Sequence, residues 1–166
     1  MEKSLKAIKA HAFLLEISKK MQHDSFHKFM QTADIISIES RVDKSLSLTF
    51  FLVKTIIGQQ VSVKAAESIW LKVRNVLNNS QSNISLDLLR EQGLSKPKAS
   101  YVHGVILDKK IQSLDRASLK KLSDEDLSNL FLSIKGVGPW TLGVIRMFYI
   151  QDSNVFLKGD LAINKA

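Results

Sequence analysis

Apolar residues recur along this chain at the three- and four-residue spacing of helices, as in Ile8, Phe13, Leu14 and Ile17, and again in Phe50, Val53, Ile56 and Ile57. This spacing predicts helices over about 4–20, 25–36, 46–57, 62–78, 85–91, 97–112, 124–133 and 139–150. Capping residues stand where several of these helices need them. Ser62 precedes Ala65, Ala66, Ile69 and Trp70, and Ser123 with Asp126 three residues on makes a capping-box pattern ahead of Leu127 and Leu130. Gly93 follows Leu88 to Gln92 as a helix stop. Strand-like alternation is weak, and the nearest stretch, 42–48, is too short and polar to build a sheet. The fold class is therefore all-α. No solenoid-period repeat or low-complexity tract is present, and the polar run 78–83 reads as a surface loop.

With 166 residues, 45% of them hydrophobic, the chain can bury one core, and a single domain over 1–166 is the simplest organisation. Its 24 Lys+Arg against 16 Asp+Glu give a net charge of +8, which suits a polyanionic partner. There is no cysteine, which excludes disulfides, thiolate zinc sites, cysteine nucleophiles and a cysteine-held iron–sulfur cluster. His23 and His27 are four residues apart and could share a helix face, but no third metal ligand is evident. The N-terminus leads into an amphipathic stretch with no secretory pattern, and the apolar runs fall short of a membrane span. The expectation is an intracellular protein without a membrane partner, in the cytoplasm or nucleoid, or in the nucleus if the source is eukaryotic.

One segment departs from plain helical patterning: Leu132-Ser-Ile-Lys-Gly-Val-Gly-Pro-Trp-Thr141. Gly136 and Gly138 permit positive φ and close backbone approach, and Pro139 suits a first helical turn, so this is a tight hairpin between two helices. Amides at the start of the second helix would face outward and attract an anion. On a chain this basic the anion is a nucleic-acid phosphate.

Three ordered segments, Thr55-Ile-Ile-Gly-Gln-Gln-Val-Ser-Val-Lys-Ala-Ala66, then Leu132 to Thr141, then Asn154-Val-Phe-Leu-Lys-Gly-Asp-Leu-Ala-Ile163, resemble the helix-hairpin-helix DNA glycosylases. In detail the likeness is to the 3-methyladenine (alkylbase) DNA glycosylase II branch, over roughly 50–166, including the stretch Gly93 to Tyr101. The resemblance implies an enzyme of base-excision repair that flips a damaged nucleotide out of duplex DNA and hydrolyses its N-glycosidic bond. It implies that Asp160 is the catalytic carboxylate, whose fixed charge suits an oxocarbenium-like transition state and can orient the attacking water. The same residue also suits an N-cap for a helix from Leu161 onward.

Lyase-competent relatives carry a lysine just after the hairpin, which forms a Schiff base with the sugar. Trp140 stands there in this chain, which implies a monofunctional enzyme and an indole face in the base pocket able to stack on a cationic alkylated purine such as 3-methyladenine. The resemblance places Gly136, Val137, Gly138 and Thr141 at the DNA backbone. It places Gln60, or else Gln59, in the gap left by the flipped base. Lys64 and Lys135 lie near enough to these corners to reach phosphates. It also implies a monovalent or alkaline-earth ion at the hairpin, held by the main-chain carbonyls of Leu132, Ile134 and Val137. No cofactor is required, and a monomer bound to damaged double-stranded DNA is expected. The chain runs six residues past Asp160, where members of the family continue for a few tens of residues, so the fold is expected to be C-terminally short. The alternative expectation is a non-catalytic DNA-binding module or an inactive glycosylase fragment.

Overall fold

The computed structural model describes residues 5–35, 42–79, 84–157 and 159–160. Its contacts divide the chain into two compact units, Met1–Val42 and Asp43–Ala166. Among the described residues every regular element is helical.

In the first unit, α1 (Leu5–Lys20) packs against α2 (Asp24–Thr32). A polar contact joins them: the Ser18 hydroxyl lies 2.9 Å from His27 Nδ1 and donates to the Leu15 carbonyl at 2.8 Å. Within this pair of helices Met30 and Ser18 are buried, whereas Phe13, Phe29 and Leu5 are exposed. Helical spacing was thus a sound guide to the elements but not to what they cover. The second helix ends at Thr32, short of the expected 36.

The second unit is built around α3 (Leu48–Gly58). Its sequence is apolar nearly all round, and a helix of that kind is stable only when surrounded. Leu52, Val53 and Ile56 have no exposed surface, and the helix packs against α4 (Val63–Asn79), α6 (Lys96–Leu107), α7 (Lys109–Ser113) and the π-helical segment Ile145–Ile150. Burying each such side chain contributes about 1.5–3 kcal/mol. Ser47 caps α3, its hydroxyl accepting the Phe50 N–H at 3.3 Å, and Trp70 of α4 meets Phe50 edge-on, ring centroids 6.0 Å apart. Ser62 accepts the Ala65 N–H at 3.3 Å, as its place before α4 suggested. Between α4 and α6 lies α5 (Leu86–Glu91), capped by Ser85 and stopped by Gly93 at φ +103°.

Three local differences from the sequence expectation stand out, and the first two have an identifiable cap behind them. The helix expected over 97–112 is two helices, because the Asp108 carboxylate accepts the N–H groups of Lys110 and Ile111 and starts α7 afresh. A single-turn helix, α8 (Arg116–Leu119), is fixed by a capping box between Asp115 and Ser118. The stretch expected over 139–150 begins as α10 (Pro139–Val144) and continues in π geometry through Ile145–Ile150, ending at Gln151 with φ +66°. Before it stands α9 (Asp124–Leu132), whose cap Ser123 accepts the Asp126 N–H at 3.0 Å as expected.

Candidate nucleic-acid interface and active site

The hairpin connects α9 to α10 through Ser133 to Gly138. The Ile134 N–H donates to the Phe131 carbonyl at 3.1 Å and the Val137 N–H to the Ile134 carbonyl at 3.0 Å, which folds the turn tightly. Gly136 has φ +89°, and a Cβ there would lie 2.5 Å from Cδ2 and 2.9 Å from Cβ of Tyr101. Glycine is required on both grounds, conformation and space. Gly138 is the N-cap of α10 and Pro139 its first residue; no side chain caps this end, so the first amides of the helix keep their donor capacity.

Gln59 reaches the hairpin from the end of α3. Its side-chain Nε2 donates to the Gly136 carbonyl at 2.9 Å and to the Thr141 hydroxyl at 3.1 Å. Thr141 is buried, at 2% exposure, so its hydroxyl braces the hairpin from the inside. Val137 is likewise buried, while Lys135 and Leu132 are exposed. The next residue of the corner, Gln60, is exposed and adopts φ +56°, a left-handed backbone. Val61, Val63 and Lys64 beside it are exposed too, Val63 by 87%.

Lys98 completes this knot. Its Nζ donates to the carbonyls of Ile57 at 2.8 Å and Gln59 at 2.5 Å, satisfying the end of α3, and burial pushes the ammonium below its usual range. Sequence reading gave it no role, because backbone carbonyls leave no mark in sequence.

Asp160 arrives on the loop after the π-helical segment. Its carboxylate Oδ2 accepts the indole N–H of Trp140 at 2.9 Å, and both residues are half-buried. The loop is tied at both ends. Near its start the Asp152 N–H donates to the Arg146 carbonyl at 2.9 Å, and Arg146 Nε donates to the Asp152 carboxylate at 3.0 Å while its Nη2 pairs with Asp124 at 3.0 Å. The backbone N–H of Asn154 and the Arg146 guanidinium hold the Asp152 carboxyl below the usual carboxylate value, against the opposing effect of burial. At its far end Gly159 has φ +85° and the Asp160 N–H closes a turn on the Leu157 carbonyl at 3.1 Å. Between these ties, Leu157 lies against Gly143 of α10, where a Cβ would come within 2.7 Å of Leu157 Cδ2.

The sequence therefore named both members of the Trp140 and Asp160 pair, but not the bond between them. Arg146 carries a readable signal in sequence, a lone charge in the apolar run 142–150. The helix expected from Leu161, and Leu161 and Ile163 themselves, lie outside the described residues. Among the described residues no group of three His, Cys, Asp or Glu side chains could hold a metal, and no helix is long and apolar enough to cross a membrane.

No family model matches the chain. A DNA-3-methyladenine glycosylase of Schizosaccharomyces pombe is 26% identical over 121 residues, 68% of this chain and 53% of that protein. The crystal structure of a DNA-3-methyladenine glycosidase from Bacillus halodurans is 25% identical with a TM-score of 0.67, covering 83% of this chain and 64% of the other. A Schizosaccharomyces pombe 3-methyladenine DNA glycosylase in complex with abasic DNA superposes with a TM-score of 0.70 at 19% identity, over 93% of this chain and 76% of the other. The chain spans about half the length of the curated relatives it matches. The chain is thus similar in sequence to DNA-3-methyladenine glycosylases and shares the all-α fold of their solved structures.

Proposed function

We propose that this chain releases alkylated purines such as 3-methyladenine from double-stranded DNA, as a monofunctional base-excision-repair glycosylase acting inside the cell as a monomer. The observation that carries this reading is the Asp160 carboxylate, held 2.9 Å from the Trp140 ring nitrogen next to an uncapped helix start in the hairpin. As the N-glycosidic bond breaks, positive charge grows on the sugar, and a fixed carboxylate stabilises it and orients the attacking water. The face of Trp140 stacks on the cationic base, favouring an alkylated purine over a neutral one. With Trp140 rather than a lysine at this place, no Schiff base forms and the product is an intact strand with an abasic site.

The amides around Gly136 and Gly138 receive a phosphate, with Lys135 and Lys64 adding charge on either side. Gln60 fills the gap left by the flipped base, because Gln59 is occupied within the hairpin. A monovalent or alkaline-earth ion at the carbonyls of Leu132, Ile134 and Val137 would add positive charge beside that phosphate. The Ile134 carbonyl already accepts one N–H, and carbonyl oxygens have a second lone pair for such an ion.

The test is single-turnover base release from duplex DNA bearing 3-methyl- and 7-methylpurines, comparing the chain with Asp160→Asn. Release that disappears in the variant, with strand scission seen only after alkali, supports the reading. No release from a folded chain that still binds DNA overturns it in favour of a non-catalytic binding module.

A further inference from the structure

Trp140 has two surfaces, and the proposed function uses its face. Its edge is engaged elsewhere, since the ring N–H donates to Asp160 Oδ2 at 2.9 Å. Resting on that function, we propose that Trp140 is a positioning residue for base release: its indole N–H fixes the Asp160 carboxylate, and the reaction depends on that bond rather than on aromatic stacking alone.

Asp160 sits in a loop turn next to Gly159 at φ +85°, and its side-chain torsions are held by the groups that bond the carboxylate, the Trp140 N–H among them. The donor, by contrast, is on a rigid element. Trp140 is the second residue of α10, preceded by Pro139 with its fixed φ and followed by the buried, hydrogen-bonded Thr141. A group held by a helix orients its partner more closely than one held by a loop.

The chemistry of the donor matters as well. A neutral N–H holds a carboxylate without cancelling the negative charge that a developing oxocarbenium needs. A lysine at the same place would form an ion pair with Asp160 and offset that charge. The bond also commits the edge of the ring, so the indole plane is set before a base arrives.

Trp140→Phe keeps an aromatic face and removes the donor, while Trp140→Leu removes both. If the bond matters, Phe slows single-turnover release by about tenfold or more, and Leu, which loses the stacking face as well, slows it at least as much. Affinity for a duplex carrying an abasic site stays close to that of the unaltered chain in both. A Trp140→Phe variant that keeps the full rate while Leu loses it overturns the inference and leaves stacking as the role.

A readout independent of turnover uses the two tryptophans of the chain, which give two indole N–H resonances. The one missing in Trp140→Phe belongs to Trp140, and it must shift in Asp160→Asn while the other does not. If it does not move, the bond is absent and the inference falls whatever the chain's activity. If it moves and the unaltered chain releases no base, the proposed function fails, and with it the use of the bond in catalysis.

Discussion

Gln59 joins its corner to Gly136, 77 residues further along the chain, by donating a side-chain N–H to the Gly136 carbonyl at 2.9 Å. The same nitrogen reaches the Thr141 hydroxyl, and the main-chain carbonyl of Gln59 accepts from Lys98. Three separate stretches, the end of α3, the hairpin and the start of α6, are thereby fixed relative to one another. In the proposed function the first two meet DNA at different places, the gap in the duplex and a phosphate. Their spacing is then a property of one polar cluster.

Neighbouring glutamines should consequently behave in opposite ways. Gln59→Leu leaves a carbonyl and a buried hydroxyl short of a partner and is expected to lower stability by about 1–3 kcal/mol in urea unfolding. Gln60→Gly removes an exposed side chain whose φ of +56° glycine adopts freely, so stability should stay within about 1 kcal/mol. Binding to abasic duplex should fall in Gln60→Gly even so. A stable Gln59→Leu variant, or an unaltered affinity in Gln60→Gly, would contradict the division of labour between the two.

Gly136 and Gly143 both lack room for a methyl group, but the obstacles differ. At Gly136 the clash is with the ring and Cβ of Tyr101, close to its backbone, and φ is +89°. Gly136→Ala is expected to cost about 2–3 kcal/mol or more. At Gly143 the clash is with the far end of Leu157, which can swing aside. Gly143→Ala should therefore cost less stability, yet displace the loop that carries Asp160 and reduce base release more than stability. Thermal unfolding and single-turnover rates on the same samples separate the two effects.

The hairpin was legible because its signals are local: Gly136 for a positive φ, Gly138 and Pro139 for a helix start, Ser123 for the cap of the helix before it. The central helix was legible for the same reason, its apolar run having nowhere to go but the interior. Asp108 was not, since one carboxylate inside a run of helical spacing starts a new helix only by accepting the amides two and three residues further on. Arg116 shows the limit more plainly. Its guanidinium donates to the carbonyls of Asp43, Lys44 and Tyr149 and lies 4.2 Å over the Tyr149 ring, and a partnership with backbone over 70 residues away leaves no pattern in sequence. Trp140 and Asp160 were each identified by resemblance to a family, whereas their mutual bond needed coordinates.

Asp152 gives the acid response of the fold a definite direction. Its carboxyl is held below the unfolded value of 3.8, first by the Asn154 N–H and then by Arg146. A depressed folded value means that the stabilisation is fully present above pH 3.8 and is lost as pH falls through the lower, folded value. Stability should thus be insensitive to this group between pH 7 and about 4 and decline below that. Asp152→Asn should remove the part of that decline due to this group and loosen the loop toward Asp160. Denaturant midpoints measured from neutral pH down to strong acid would test it. A variant whose acid limb matches that of the unaltered chain would show that the Asp152 carboxylate contributes nothing to the acid response.

Lys64 and Lys135 stand on the two corners that the proposed function assigns to DNA, and both are exposed. Each is expected to neutralise one phosphate, and each phosphate contact contributes a slope of about −0.9 to the dependence of log affinity on log salt concentration for duplex DNA. Lys64→Ala and Lys135→Ala should each make the slope shallower by about one, on damaged and undamaged duplex alike, because phosphate contacts carry no base information. The double variant should lose about two, since the residues lie on separate elements and share no described partner. Lys98→Met provides the contrast: its ammonium is turned inward to the Ile57 and Gln59 carbonyls, so its loss should reduce stability and leave the salt slope unchanged. Equal slopes for the unaltered chain and Lys135→Ala would remove the hairpin from the DNA-binding surface.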